Sequence, residues 1–271
     1  AAGDATSRAV RLAMITMKGE MGIPGVLTAP QWGFYDVLFS HTNKDMALKP
    51  EGEREFKFTQ GYGSYVMENI LFKISFPAEF HSQTACECAV KLHPEVRNRL
   101  DDIEKIVITT HESAIRIISK VGPLANPADR DHCLQYMTAV PLIFGDLVAE
   151  HYEDDFHKAH PVIDELREKM EIVEDERYTR EYLEPDKRSI ANAVQVFFKD
   201  GTSTDNVAVE YPIGHRRRRD EGIPVLENKF LNNLRTRYPE WKCQQIMELT
   251  LDQNRLEEMP VNAFMELLVT T

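Results

Sequence analysis

Apolar residues recur at helical spacing over the first sixteen positions. Ala9, Leu12, Ala13 and Thr16 share one face, Arg8 and Arg11 lie off it, and Gly19, Gly22 and Pro24 stop the run. A helix is predicted there, and a second short one over residues 30–38. Residues 41–58 then turn polar and charged around Pro50 and Gly52, the pattern of an exposed loop and of an insertion.

An apolar run of Ile70, Leu71 and Phe72 ends at Lys73, and Pro77 suits the first turn of a helix predicted over 78–92. Residues 103–110, IEKIVITT, alternate like a half-buried strand, and 114–120 reads as a further short strand. Asp129 is placed to cap a long helix running to residue 150, with Leu134, Met137, Val140, Phe144 and Leu147 as its apolar stripe. On another face of that helix His132 and Tyr136 stand four apart, side by side on neighbouring turns. Residues 151–185 are acidic and helical in pattern, and no chemistry is read into them. Residues 193–198 and 207–211 flank KDGTSTDN, a strand, turn, strand signal with Asp200 and Gly201 in the turn. Three helices, over 223–234, 238–251 and 261–269, close the chain. The fold class predicted is α+β, with α-rich ends around an α/β middle.

Composition narrows the function. The 271 residues are 42% hydrophobic and 28% charged, enough for a sizeable core in one large domain or two modest ones. A net charge of −12 argues against nucleic acid or an acidic membrane surface as partner, so an anionic substrate needs a local cationic pocket. No apolar run approaches the roughly 18 residues of a membrane span. Cys86, Cys88, Cys133 and Cys243 are too few and scattered for a disulfide framework. On a helix Cys86 and Cys88 point about 200° apart, which disfavours shared ligation of a metal or an iron–sulfur cluster and suits small buried thiols.

The chemistry-bearing residues gather in a few places. Lys73, Glu79 and His81 crowd into nine positions around Pro77, where a helix N-terminus favours anions. The alternative there is a surface lysine and a capping glutamate. His132 and Tyr136 can both move protons, and Arg130 is either a carboxylate clamp or a surface charge beside a helix cap. Arg216, Arg217, Arg218 and Arg219 form the densest positive cluster. They either hold carboxylates or pair with Asp220 and Glu221 at a hinge, and a four-arginine run cannot all face one pocket.

The segments GYGSYVMENILFKISFPAEFHSQTA, NPADRDHCLQYM, YPIGHRRRRDEGIPVLENKF and LEEMPVNAFMELLV resemble the MmgE/PrpD family, nearly end to end. The resemblance implies an all-helical domain built from both chain ends, residues 1–68 and 220–271, around an inserted α/β lid, residues 69–219. It also implies that this chain is the C-terminal part of a longer protein, preceded by a helical portion carrying further site residues. The implied reaction is metal-independent removal of water from 2-methylcitrate in propionate breakdown, with no cofactor and a tricarboxylate substrate. Catalytic candidates are then Lys73, His81, Tyr136 and His132. Substrate-binding candidates are Glu79, Arg130, Arg216 and Arg217, with Glu79 and His81 alternatives for the acid/base position. A homodimer in the cytosol or mitochondrial matrix is expected. The alternatives are a cis-aconitate decarboxylase of the same family and a non-catalytic dimerisation fragment.

Overall fold

The computed structural model describes residues 2–39 and 68–270, so the loop expected over 41–58 lies outside the described residues. The chain divides into two compact units, Ala1–Tyr65 and Val66–Thr271. In the first, helix α1 spans Ala2–Thr16 and α2 Phe34–Phe39, close to the two helices expected.

In the second unit a four-stranded sheet has the order β2-β1-β3-β4: β1 is Ile103–Thr110, β2 Met170–Glu174, β3 Asn192–Phe198 and β4 Val207–Val209. β1 runs parallel to β2 and antiparallel to β3, which pairs antiparallel with β4 as the hairpin pattern requires. Gly201 takes φ +83° in the hairpin turn, a conformation open to glycine. On β1 the alternation buries Ile106, Ile108 and Thr110, and on β3 it buries Asn192, Val194, Val196 and Phe198. Helix α3, Gln83–Val96, packs on β3, β4 and a buried helix, Leu134–Phe144. That last helix is buried from Leu134 through Leu142 and lies in the middle of the core. Its Pro141 cannot donate to the Met137 carbonyl, and the Cys86 thiol does so instead at 3.1 Å. All four cysteines are buried free thiols.

Several expectations need correction. Residues 114–120 are not a strand: Glu112–Ile118 is a helix packed against the sheet, a tertiary context that overrides the β-branched bias of its isoleucines. The long helix expected from Asp129 to residue 150 is broken. Asn126 caps a single turn, Pro127–Arg130, Cys133 is extended, and the helix Leu134–Phe144 ends at Gly145 with φ +79°. His132 therefore precedes that helix and does not share a face with Tyr136. The helix expected from residue 78 begins at Gln83, after a 3-10 turn, Phe80–Ser82. The acidic stretch contains an unforeseen parallel edge strand, β2, between helices Val162–Glu168 and Glu176–Leu183. The closing region has helices Arg219–Arg235, Glu240–Leu251 and Val261–Leu267, plus a short Gln253–Glu258 between the last two. Leu234, Cys243 and Ile246 form a small core of their own there.

Candidate active site

A cavity of about 570 Å³ lies in the second unit, with Glu79, His81, Tyr182, Arg188, His215 and Arg216 on its wall. A larger hollow, about 630 Å³, runs along α1 among Val10, Met14 and Ile15, but it gathers no carboxylate, histidine or tyrosine.

The turn that carries His81 is fixed from three directions. Gln83 Nε2 donates to the carbonyls of Phe76 and Ala78, at 2.9 and 2.7 Å, closing the chain around Pro77. Ser82 Oγ donates to the Glu79 carbonyl at 2.6 Å. From the start of β3, buried Asn192 donates through Nδ2 to the His81 carbonyl and to Thr84 Oγ1, each at 2.7 Å. Glu79 caps the 3-10 turn by accepting from the His81 backbone N–H at 2.8 Å. The anion position foreseen at this helix start is thus filled by the protein's own carboxylate.

The same carboxylate holds the imidazole. Both Glu79 oxygens lie 2.8 and 2.9 Å from His81 Nδ1. A nitrogen facing a carboxylate carries the proton, so Nδ1–H donates to Glu79 and Nε2 is left to accept. Tyr182 Oη donates to it at 3.1 Å. Burial pushes the Glu79 carboxyl up, but the hydrogen bonds and charge of His81 outweigh burial and hold it below the usual carboxylate range, with a smaller contribution from His132.

His111, at the end of β1, packs against His81 and Tyr182 of this wall and was not foreseen. Its ring stacks on Tyr182 with centroids 4.6 Å apart and lies 5.2 Å from the His81 ring. It is fully buried, and its Nε2 has no hydrogen-bond partner among the described residues. Burial pushes the imidazole down to about 4, helped by His81 and opposed by the backbone at Ala191. Two bonds fasten the helix bearing Tyr182 to this strand end. The Asp175 N–H donates to the Thr110 carbonyl at 2.9 Å, and the Glu112 N–H to Thr179 Oγ1 at 2.9 Å.

Opposite in charge is the 212–219 segment. Gly214 allows it to reach the 70–73 segment: the Phe72 N–H donates to the Gly214 carbonyl at 3.0 Å, and a Cβ on Gly214 would sit 1.7 Å from the Phe72 oxygen. The arginine run then divides. Arg217 donates to the Asp186 carbonyl and covers the Tyr211 ring. Arg218 pairs with Glu87 and Glu221, and Arg219 donates to the Ile70 carbonyl and covers Phe72. Arg216 alone of the four lines the cavity. His215 is buried beside it, its imidazole pushed down to about 4 by burial and by the charges of Arg216, Arg217 and Arg219.

The expected site residues therefore separate. Glu79, His81 and Arg216 come together on the cavity. Lys73 is exposed, its ammonium 5.1 Å from the centroid of Phe80, another wall residue. Arg217 is engaged elsewhere, and His132 is exposed with Nδ1 2.6 Å from Asp131. Tyr136 is fully buried and donates to the His151 carbonyl at 2.6 Å, and burial pushes its phenol up to about 12. Arg130 is 2% exposed, donating through Nε to the Tyr152 carbonyl at 2.7 Å and pairing with Asp154. The reason for both displacements is the same: the broken helix turns these side chains into the core, where a buried polar head must find an internal partner. Among the described residues no group of three or more His, Cys, Asp or Glu side chains is arranged to hold a metal ion.

Residues 76–253 match the MmgE/PrpD C-terminal domain and residues 1–47 the MmgE/PrpD N-terminal domain. The 2-methylcitrate dehydratase of Escherichia coli K12 is 56% identical over 99% of this chain and 54% of that protein. The mitochondrial 2-methylcitrate dehydratase of Yarrowia lipolytica is 54% identical over 99% of this chain and 49% of that protein. A 2-methylcitrate dehydratase-like protein of Aspergillus oryzae is 38% identical over 99% and 52%. The chain spans about half the length of the curated relatives it matches.

Proposed function

The chain belongs to the MmgE/PrpD family, and from that premise we propose that the complete protein removes water from 2-methylcitrate, with the Glu79–His81–Tyr182 group as its acid/base centre. The observation that carries this reading is a histidine oriented by a carboxylate on one side and in hydrogen-bond contact with a phenol on the other, at the wall of a cavity that also holds Arg216.

Dehydration needs a base for a weakly acidic C–H next to a carboxylate, an acid for the departing hydroxyl, and cations for the carboxylates. His81 Nε2 takes the proton from carbon, and Glu79 stabilises the imidazolium that forms. The C–H electron pair becomes the double bond as the C–O bond breaks. Tyr182 protonates the hydroxide, which leaves as water, and recovers its proton from His81 through the 3.1 Å contact. Both residues return to their starting states, so no outside proton is needed. Arg216 binds carboxylate at the wall and Lys73 at the rim, while Glu79 orients His81 and does not bind substrate. Tyr136, His132, Arg130 and Arg217 stay outside the chemistry.

In the same reading the closing helices and residues 1–68 form a helical body around the lid of residues 69–219. The working form is a homodimer in a bacterial cytosol or a mitochondrial matrix. The test is product analysis on the full-length protein treated with chelator. Release of 2-methyl-cis-aconitate and water without added metal supports the reading. Carbon dioxide from cis-aconitate, or no turnover of either substrate, sinks it.

A further inference from the structure

Arg188 lies in a turn, 184–189, in which no chemistry was foreseen. It is one of two described non-glycine residues with positive φ, at +47°, where an L side chain is disfavoured. The turn is held by the Arg188 N–H donating to the Glu184 carbonyl at 2.9 Å and the Ile190 N–H to the Glu210 carbonyl at 3.0 Å. The neighbouring cation, Lys187, is neutralised by Glu181 at 2.6 Å. Arg188 is not neutralised: among the described residues neither it nor Arg216 has an ion-pair or hydrogen-bond partner for its guanidinium, and both line the cavity with His81. Strained backbone that persists beside an acid/base group is a recurrent mark of a functional position. The arginines beside His215 on the same wall add to burial in pushing its imidazole down, a local concentration of positive charge in a chain whose net charge is −12.

We propose that Arg188 is a substrate-binding residue that, with Arg216, clamps a carboxylate of a di- or tricarboxylate substrate against the His81 wall. This rests on the dehydratase reading, because it places the clamped carboxylate on the molecule that loses water. A guanidinium fork meets a carboxylate bidentately, which fixes the orientation of the molecule as well as its charge. The left-handed turn is the geometry that presents this side chain to the cavity.

The test uses the full-length protein carrying Arg188→Gly or Arg188→Lys. Glycine accepts φ +47° without strain, so the clamp requires Arg188→Gly to raise Tm by roughly 2–4 °C while raising KM roughly 10- to 100-fold, with kcat changed far less. Arg188→Lys, which keeps the charge but loses the fork, should fall between. An unchanged KM in Arg188→Gly overturns the clamp whatever happens to Tm. A fall in Tm overturns it too, by showing the arginine to be a structural member of the turn. If the wild-type protein does not turn over 2-methylcitrate, the dehydratase reading fails by itself, and citrate binding measured by calorimetry judges the clamp alone. Weaker binding by Arg188→Gly then supports it, and equal binding, or none by wild type, overturns it.

Discussion

Two regions of the second unit hold the same kinds of side chain and differ in what those side chains have left to offer. At the cavity, Glu79, His81, Tyr182, Arg188 and Arg216 bring a carboxylate, an imidazole, a phenol and guanidinium groups together. Around the break before the buried helix, Asp154, His157, Tyr136, Arg130 and Arg167 bring the same set. There most of the valences are used internally, the buried Arg167 Nε being an exception. Tyr136 and Arg130 donate to backbone carbonyls, Arg130 also pairs with Asp154, Arg167 pairs with Asp164, and His157 Nε2 lies 2.9 Å from Asp164. At the cavity Glu79 and His81 are paired with each other, while Arg188 and Arg216 have no partner among the described residues. Residue type identifies groups able to do chemistry. Whether they do it depends on which partners the fold has already supplied.

Substitutions should separate the two regions, and the largest contrast is expected at His81. Removing its acid/base nitrogen with His81→Ala should lower kcat roughly 10²–10⁴-fold, with the unfolding midpoint little changed; steady-state kinetics and thermal melts read both. Arg130→Ala should do the reverse. Loss of a buried side chain and an unpaired Tyr152 carbonyl should cost about 2–4 kcal/mol in urea unfolding while kcat holds. The Asp154 left behind is 70% exposed and adds little.

Smaller effects sharpen the boundary. Glu79→Gln keeps a hydrogen bond to the imidazole but not the charge, and kcat should fall roughly 10- to 100-fold; a rate near wild type would remove Glu79 from the mechanism. Tyr136→Phe should cost about 1 kcal/mol of stability and leave turnover intact.

The last expected effect is a pH slope. His111 and His215 have folded values near 4, below the unfolded value of about 6.5. Between these limits the unfolded chain binds more protons, so stability rises with pH and is lost as pH falls from about 6.5 to 4. Glu79, with a lowered value, adds stability that is present above its unfolded value and lost as pH falls through its folded one. Urea midpoints across this range should slope less steeply in His111→Phe than in wild type.

Local signals were legible in the chain. The crowding of Glu79 and His81 after Pro77, the alternation of residues 103–110 and the hairpin turn at Gly201 each depend on neighbours a few positions away. The rest depends on distant ones. His111 and Tyr182 meet His81 from 30 and 101 residues away, and Tyr182 lies in a stretch so charged that its pattern reads as surface. β2 is hidden for the same reason, a parallel edge strand between charged helices with no alternation strong enough to announce it. The break at 131–133 turns on Asn126 capping three residues before the expected Asp129, which itself accepts from the Ala125 N–H at 3.1 Å. Residue type and the family resemblance both make Tyr136 a candidate, and residue type makes Arg130 one, but only the packing reveals the carbonyls that occupy them.

The most direct measurement is a crystal structure of the full-length protein carrying His81→Ala, soaked with 2-methylcitrate. The expected result is substrate in the cavity of about 570 Å³, its hydroxyl within hydrogen-bond reach of Tyr182 and its carboxylates on Arg188 and Arg216. Substrate in the hollow of about 410 Å³ beside Arg130 and His157, or bound away from both, would contradict it.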